Sequence, residues 1–241
     1  MKKTIVLLVF AGMFAMQGCK QKSAEQMDGS DAGVVNVSKC DVRFNGVSFT
    51  GALNGADTCV AVKGDSILEF SCAEKRDFFR DPNGSVSDNA PILLSVIDNT
   101  KPFTFTVKVT PGFTEEGTYN AADIFIYAND TLWHKLAFEQ DERGNHRIVT
   151  VRTVGTSDDN NHEKLDSASV YLRFSSDTRT LASYYSFDKN EWYMVRLYKN
   201  NYPDSLWVGI SSQCPKTGIC KSVFEDISLE QKSVTDFRMG N

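Results

Sequence analysis

The sequence has no excess of positive charge. Lysine and arginine number 26, aspartate and glutamate number 31, and the formal net charge at pH 7 is −5. Proteins that bind nucleic acids carry clustered basic side chains that neutralise phosphates. The chain contains no such cluster, so a nucleic acid is not expected as a partner.

Short-spaced metal-binding motifs are also lacking. The three histidines, His134, His146 and His162, are scattered, and no C-x-x-C sequence occurs. Structural zinc sites use closely spaced cysteine and histidine pairs. We therefore predict no metal site and no cofactor. Oxygen ligands that suit calcium do cluster at Asp158-Asp159-Asn160, although polar loops of this kind are more often simply solvated.

The cysteines that follow Cys19 are few and odd in number, so they cannot form a complete set of disulfides. There are five of them, and an odd number cannot all pair within one chain. Cys214 and Cys220 flank a short turn and are predicted to form a local disulfide. One further bond is available among the remaining three, which are Cys40, Cys59 and Cys72.

Long apolar runs are absent except at the N-terminus. Lys2 and Lys3 precede the apolar residues 4–16, which is typical of a secretory signal and is too short for a membrane helix. Gly18 directly precedes Cys19, an arrangement that resembles a bacterial lipobox. Residues 1–18 are therefore predicted to be a lipoprotein signal peptide and Cys19 to be lipidated, with ordinary signal cleavage as the alternative.

Residues 19–36 are polar and poor in aromatics, so they are predicted to be a flexible tether. Lipoproteins carry more than one acyl chain, which is sufficient for stable anchoring to a membrane. We expect a monomer anchored in the bacterial cell envelope, facing the periplasm or the cell surface. No acidic run follows Cys19, and this favours the periplasm.

Helical periodicity is lacking beyond residue 40, where apolar and polar residues alternate with period two. This pattern predicts an all-β, antiparallel sandwich or jelly roll over residues 37–230. Residues 155–166 are predicted to be a long polar loop, and residues 231–241 a loose tail. The predicted strands are 43–49, 66–72, 92–97, 103–109, 122–128, 132–139, 146–154, 169–174, 181–187, 192–198, 206–210 and 223–229.

An ordered set of landmarks runs through the chain: Asp77-Phe78-Phe79-Arg80, Asp88-Asn89-Ala90-Pro91, Tyr119-Asn120-Ala121-Ala122-Asp123, Trp133-His134-Lys135 with Glu139, Val149-Thr150, Tyr171-Leu172-Arg173, Ser186-Phe187-Asp188 with Trp192, Arg196, and Val208-Gly209 before Pro215. Together they resemble the DUF1349 family, concanavalin A-like jelly rolls related to a yeast protein named for regulating enolase. The resemblance covers residues 67–229 and implies the same concanavalin A-like fold. The family has no settled activity, so the resemblance implies no catalytic role.

The predicted site is one face of the sheet that contains residues 132–139. Alternation turns Leu132, His134, Leu136 and Phe138 towards a core, where His134 is interpreted as a hydrogen-bonded core histidine. The same phasing of neighbouring strands collects aromatic and charged side chains on the opposite face. The predicted ligand-binding residues are Trp133, Lys135, Glu139, Tyr171, Arg173, Tyr184, Trp192 and Arg196.

Aromatic rings of this kind stack on sugars, and arginine or glutamate binds hydroxyls or carboxylates. The favoured function is therefore carbohydrate binding without catalysis, although an ordinary solvated sheet face has the same composition. One alternative is a glycoside-active enzyme that uses Glu139 with a loop aspartate, Asp88, Asp158 or Asp188. Glycoside hydrolysis normally needs two carboxylates, and only Glu139 lies on the predicted face. The other alternative is a structural or protein-interaction module with its aromatic face covered by a partner.

Overall fold

The computed structural model describes residues 36–241, which form 17 β-strands and one short 3-10 turn. The predicted signal peptide, Cys19 and nearly all of the predicted tether lie outside the described residues. The strands are β1 (Ser38–Phe44), β2 (Val47–Leu53), β3 (Val60–Lys63), β4 (Ile67–Ala73), β5 (Phe78–Arg80), β6 (Val86–Asp88), β7 (Ile92–Asp98), β8 (Phe103–Thr110), β9 (Ala121–Asn129), β10 (Leu132–Gln140), β11 (His146–Val154), β12 (Thr156–Lys164), β13 (Val170–Ser176), β14 (Thr180–Ser186), β15 (Tyr193–Lys199), β16 (Ser205–Gln213) and β17 (Ile219–Glu230). Within residues 36–241, no helix has the length and apolar character that a bilayer crossing requires.

Two antiparallel sheets face each other in a jelly-roll sandwich, which confirms the predicted fold class. The larger sheet has eight strands in the order β1-β2-β7-β16-β9-β10-β11-β12. The smaller sheet has seven strands in the order β15-β14-β13-β8-β17-β4-β3. A separate two-stranded hairpin, β5-β6, lies against the outer face of the larger sheet.

The core lies between the two sheets and follows directly from the alternation in the sequence. In β8, Phe103, Phe105, Val107 and Val109 all belong to the buried cluster, while the intervening residues face outwards. Burying an apolar side chain of this size contributes roughly 1.5–3 kcal/mol relative to leaving it exposed. In β8 the period-two pattern is therefore sufficient to specify which face is buried.

Two boundary predictions are wrong. The predicted strand 43–49 spans a hairpin turn, in which Asn45 and Gly46 have φ of 46° and 79° between β1 and β2. Both values lie in the left-handed region that such tight turns require. The predicted loop 155–166 is mostly strand β12. This strand is polar because it lies at the edge of its sheet, where few of its side chains are buried.

The C-terminal segment is packed and is not the predicted loose tail. Val234 and Phe237 pack with Tyr184 and Trp192 on the outer face of the smaller sheet. The Tyr184 hydroxyl donates a hydrogen bond of 2.8 Å to the Phe237 carbonyl. The segment therefore covers an aromatic face that would otherwise be exposed.

The predicted Cys214–Cys220 disulfide is not formed, because both residues are free thiols. Cys220 in β17 lies directly opposite Cys72 in β4, and all three cysteines share one buried cluster. Proximity in sequence therefore did not identify the nearest cross-strand neighbour. The five cysteines of the described residues are all free thiols.

Candidate functional site

A cavity of about 630 Å³ lies over the outer face of the larger sheet. Strands β10, β11 and β12 supply its floor, and the β5-β6 hairpin with its flanking loops supplies one wall. The far end is closed by residues 119, 142, 215 and 216. The lining residues are Lys75, Asp77, Phe79, Asp81, Val86, Ser87, Asp88, Asn89, Tyr119, Lys135, Glu139, Glu142, Val149, Val151, Asp159, Asn161, Pro215 and Lys216.

The hairpin wall is held by an aromatic cluster. Phe78 in β5 packs edge-on against Trp133 in β10, with ring centroids 5.1 Å apart, and against Phe125 in β9 at 5.8 Å. The backbone of Arg80 donates to the Ser157 hydroxyl at 2.9 Å. These contacts attach the hairpin to both sides of the cavity floor.

A second anchor for this wall is Asn89, from the Asp-Asn-Ala-Pro landmark. Its side-chain oxygen accepts a hydrogen bond of 3.0 Å from the Asp77 backbone, and its side-chain nitrogen donates to the Lys75 carbonyl at 2.9 Å. The Arg76 side chain donates to the Asn89 carbonyl at 3.1 Å. Asn89 therefore fixes the loop that brings Asp77 to the cavity.

Lys135 is the buried cation of the cavity floor, with 3% of its surface exposed. Its ammonium donates to the Gln213 side chain at 3.0 Å and to the Phe78 carbonyl at 3.3 Å, and lies 3.8 Å from an Asp77 carboxylate oxygen. Burial acts to lower the pKa of Lys135, but the surrounding carboxylates, first Asp77, outweigh it and raise the pKa. Lys135 therefore stays charged.

For two acidic side chains near Lys135, Glu139 and Asp123, burial favours the neutral form. Burial, with a smaller contribution from Asp123, raises the pKa of Glu139 to about 8 against the opposing charge of Lys135. Burial raises the pKa of Asp123 to about 7. Neither carboxylate oxygen of Asp123 has a hydrogen-bond partner among the described residues. Burial therefore favours the protonated form of both carboxyl groups.

Tyr119 holds an unusual backbone conformation at the far end of the cavity. Its φ is 65°, which is uncommon for a bulky residue and marks a constrained position. Its backbone donates to the Gln140 carbonyl at 2.7 Å, and the Lys216 ammonium lies 5.5 Å from its ring centroid. The constraint places an aromatic side chain against the charged floor.

Of the eight predicted ligand-binding residues, the cavity contains two, Lys135 and Glu139. Trp133 follows the predicted direction but is completely buried beneath Phe78. The other five lie in the smaller sheet or in the loop leading to it, so the prediction of a single shared face is wrong. Alternation assigns a side chain to one face of its strand, but it does not reveal which sheet the strand joins.

Arg173 lies on the outer face of the smaller sheet and supports the C-terminal segment. Its guanidinium stacks 3.5 Å from the Trp192 ring and donates to the Gly240 carbonyl at 2.7 Å. Tyr171 lies on the same face, where the Lys189 ammonium is 5.4 Å from its ring. Trp192 and Arg173 are thus occupied by contacts within the chain.

The Arg196 side chain points into the sandwich, whereas the sequence predicted that it points outwards. A register irregularity between Ser183 and Tyr184 shifts the alternation of β15, so that Arg196 lies opposite the inward-facing Ser183. Its guanidinium forms an ion pair of 3.3 Å with Asp158 in β12 of the other sheet. Arg196 therefore lies between the sheets and not on an outer face.

Several residues of the cavity were not predicted from the sequence. Asp123, which is buried near Lys135 and does not line the cavity, carried a visible signal, since it interrupts the apolar run of β9. Asp77 and Tyr119 belong to the sequence landmarks and Asp159 to the polar cluster of residues 158–160, but their place in the cavity depends on the tertiary fold. Consecutive strand residues point to opposite faces, so the Asp158 and Asp159 side chains point to opposite faces of β12. Among the described residues, no group of three acidic, histidine or cysteine side chains is arranged to hold a metal ion.

Solved structures share this fold. That of a functionally unknown protein from Saccharomyces cerevisiae has a TM-score of 0.68 and 26% identity, covering 77% of this chain and 96% of that one. The xyloglucan PUL GH43B of Bacteroides ovatus has a TM-score of 0.53 and 13% identity, covering 79% and 40%. The GH43 BlXynB protein from Bacillus licheniformis has a TM-score of 0.53 and 14% identity, covering 68% and 32%.

The chain spans less than half the length of these two GH43 proteins, and at such identities the likeness shows the fold alone. No curated protein matches the chain by sequence. A family model, described as a protein of unknown function, matches residues 56–232, which include every residue that lines the cavity. The match extends over more than half of the 241 residues and agrees with the resemblance in the sequence landmarks. The chain therefore belongs to the DUF1349 family.

Proposed function

We propose that the domain binds a neutral or positively charged carbohydrate in the cavity over the larger sheet, without catalysis. The observation that carries this proposal is a partly enclosed space of about 630 Å³ with a mainly polar lining. Pockets for small ligands commonly measure roughly 300–1,000 Å³. Polar groups spread over all sides of such a space suit a ligand with many hydroxyls.

The charge of the lining decides between classes of sugar. Six carboxylic side chains and three lysines line the cavity, and the lining stays acidic even with Glu139 protonated. A uronate or a phosphorylated sugar would meet like charges there, which is unfavourable. Neutral sugars and amino sugars are therefore the expected ligands, with Tyr119 available for stacking.

The fold neighbours guide the choice of probes and no more than that. One is a GH43 protein of a xyloglucan PUL and another is a GH43 protein. Xyloglucan oligosaccharides, neutral glucans and amino sugars are therefore the first ligands to test. The similarity supports a carbohydrate ligand as a hypothesis for this chain.

Replacing Asp159 with alanine is expected to weaken binding of the best glycan by about 10- to 100-fold, the effect of losing one hydrogen bond to a charged group. Asp159 is exposed at the cavity edge, so the fold should be unaffected. A glycan array followed by calorimetric titration measures the change. The matched control is Asp65→Ala, an exposed aspartate outside the cavity lining. Failure of the wild type to bind any neutral or amino sugar would contradict the proposal.

Glycoside cleavage is a second candidate, favoured by one observation. The raised pKa of Glu139 keeps it protonated at neutral pH, as a general acid requires. Asp88 and Asp159 line the same cavity, whereas Asp158 pairs with Arg196 and Asp188 accepts hydrogen bonds within its own turn. After incubation with the protein, the oligosaccharides are recovered and their lengths measured to detect cleavage. Shortened products that disappear with Glu139→Gln would favour an enzyme.

The interaction-module hypothesis loses its original surface. The aromatic face assigned to a partner protein is covered by residues of the chain itself, including Val234 and Phe237. Trp192 donates its indole hydrogen to the Lys189 carbonyl at 3.0 Å, so its polar group is also occupied. Because this aromatic face is already occupied, the cavity on the larger sheet is the better candidate for the binding site.

We further propose that Cys19 anchors the protein to a membrane of the bacterial envelope, facing the periplasm or the cell surface. Bacterial expression with the native N-terminus should place the wild type in the detergent-extractable membrane fraction. Cys19→Ser should move it to the soluble fraction, because the acyl chains are lost. Cys40→Ser is the matched control and should remain with the membrane. Equal distribution of wild type and Cys19→Ser would contradict lipid anchoring.

A further inference from the structure

A layer of polar side chains crosses the interior of the sandwich, on the opposite side of the larger sheet from the cavity. His134 in β10 lies directly opposite Arg152 in β11, and Arg152 lies directly opposite Asp158 in β12. In the facing sheet, Ser183 in β14 lies directly opposite Arg196 in β15. Both rows point inwards and together form the inter-sheet polar layer.

Contacts across the sandwich show that the two rows meet. The Tyr198 hydroxyl from β15 lies 2.7 Å from His134 Nδ1, and the Arg152 guanidinium lies 4.6 Å from the Tyr198 ring centroid. The ion pair of Arg196 with Asp158 joins the sheets a second time. The layer is therefore one connected cluster of side chains.

Three potential hydrogen-bond donors in this layer have no partner among the described residues. They are His134 Nε2, Arg152 Nε and the Ser183 hydroxyl. His134 and Ser183 are completely buried. An unsatisfied buried polar group carries a substantial free-energy penalty, so such groups are normally paired with an acceptor.

The inter-sheet polar layer also carries a net positive charge, which favours a negatively charged hydrogen-bond acceptor. It contains two guanidinium groups and one carboxylate, and that carboxylate is paired with Arg196. Arg152 is half-buried and has no acidic partner within 4.0 Å in the described part of the chain, so its charge is removed from part of its solvent without a counter-charge. One additional negative charge would balance the cluster.

We propose that the inter-sheet polar layer binds a small anion of halide size, which accepts hydrogen bonds from Arg152, His134 and Ser183. When the Tyr198 hydroxyl donates to Nδ1, the neutral imidazole carries its hydrogen on Nε2 and donates it to the anion. Burial, with help from the two arginines, holds the pKa of His134 well below its usual range, which favours the neutral imidazole. The Phe174 ring packs 4.9 Å from the His134 ring, and close packing of this kind favours a compact anion.

Crystals soaked in sodium bromide test the location of the site. An anomalous peak between Arg152 and His134 is expected, because bromide replaces the halide and marks its position. Absence of a peak at this position, in crystals that show bromide elsewhere on the surface, would overturn the proposal.

Thermal unfolding tests the affinity in solution. Sodium chloride should raise the Tm of the full chain in a saturable way by about 5 °C, while sodium gluconate at equal ionic strength should not. Arg152→Gln should weaken the chloride response at least 10-fold, whereas Arg179→Gln, at an exposed turn, should leave it unchanged. Ser183→Ala removes only one donor and provides the test if Arg152→Gln does not fold. Equal responses in wild type and both layer variants would overturn the proposal.

Discussion

Replacing Trp133 with alanine is expected to lower the free energy of unfolding by about 3–5 kcal/mol, the usual range for deleting a large buried aromatic side chain. The indole has no exposed surface and contacts Phe78 and Phe125, with ring centroids 5.1 and 6.0 Å away. Its nitrogen donates to the Asp130 carbonyl at 3.3 Å. The substitution removes these contacts and leaves a cavity beneath the β5-β6 hairpin. Urea denaturation of both proteins measures the difference.

Phe187→Ala is the matched control for this prediction. Phe187 is 50% exposed, and surface substitutions of this kind usually change stability by no more than about 0.5 kcal/mol. If Trp133→Ala left stability unchanged while abolishing glycan binding, the indole would be an exposed binding platform. That result would restore the prediction from the sequence and contradict the packing described above.

Replacing Asp123 with asparagine is expected to stabilise the protein at pH 8 by on the order of 2–4 kcal/mol. Burial raises the pKa of Asp123 from 3.8 to about 7, so the folded protein holds this proton more tightly than the unfolded chain does. Wild-type stability should therefore fall as the pH rises from about 4 to about 7. Asparagine does not titrate, and the difference between the two proteins should nearly vanish at pH 4.

Urea denaturation at several pH values measures this effect, with Asp65→Asn as an exposed control that should leave the pH profile unchanged. Glu139 has a pKa raised in the same direction, to about 8, and should leave a residual slope in the Asp123 variant. The pKa of about 7 already includes the opposing effect of the Lys135 charge on Asp123. If Asp123→Asn were less stable than wild type at pH 8, Lys135 would be compensating the Asp123 charge completely.

The sequence was sufficient to predict the fold class because alternation is a local property. Residues 122–139 appear as β9 and β10 joined at Asp130-Thr131, within about a residue of the predicted ends. Each inward or outward assignment in β10 also agrees with the packing, from His134 in the core to Lys135 in the cavity floor. Strong period-two patterns in paired strands leave little freedom in such assignments.

The shared site could not be predicted, because sheet membership depends on contacts between residues distant in sequence. Arg173 and Lys135 both face outwards, but on opposite sides of the sandwich. Arg196 was misassigned because the register irregularity beside Ser183 reverses the alternation of its strand. Asp77 is held at the cavity by long-range contacts of its loop, including the hydrogen bonds of Asn89. None of these positions follows from local periodicity.

Strand β10 separates two polar environments by the thickness of one backbone. Lys135 points into the cavity, and its neighbour His134 points into the interior of the sandwich. Deleting one residue from the turn at Asp130-Thr131 would invert this arrangement along the whole strand. It would move an ammonium into the core and Leu136 to the cavity floor. The length of this turn is therefore as constrained as the chemistry of the residues that follow it, and natural insertions or deletions are expected to avoid it.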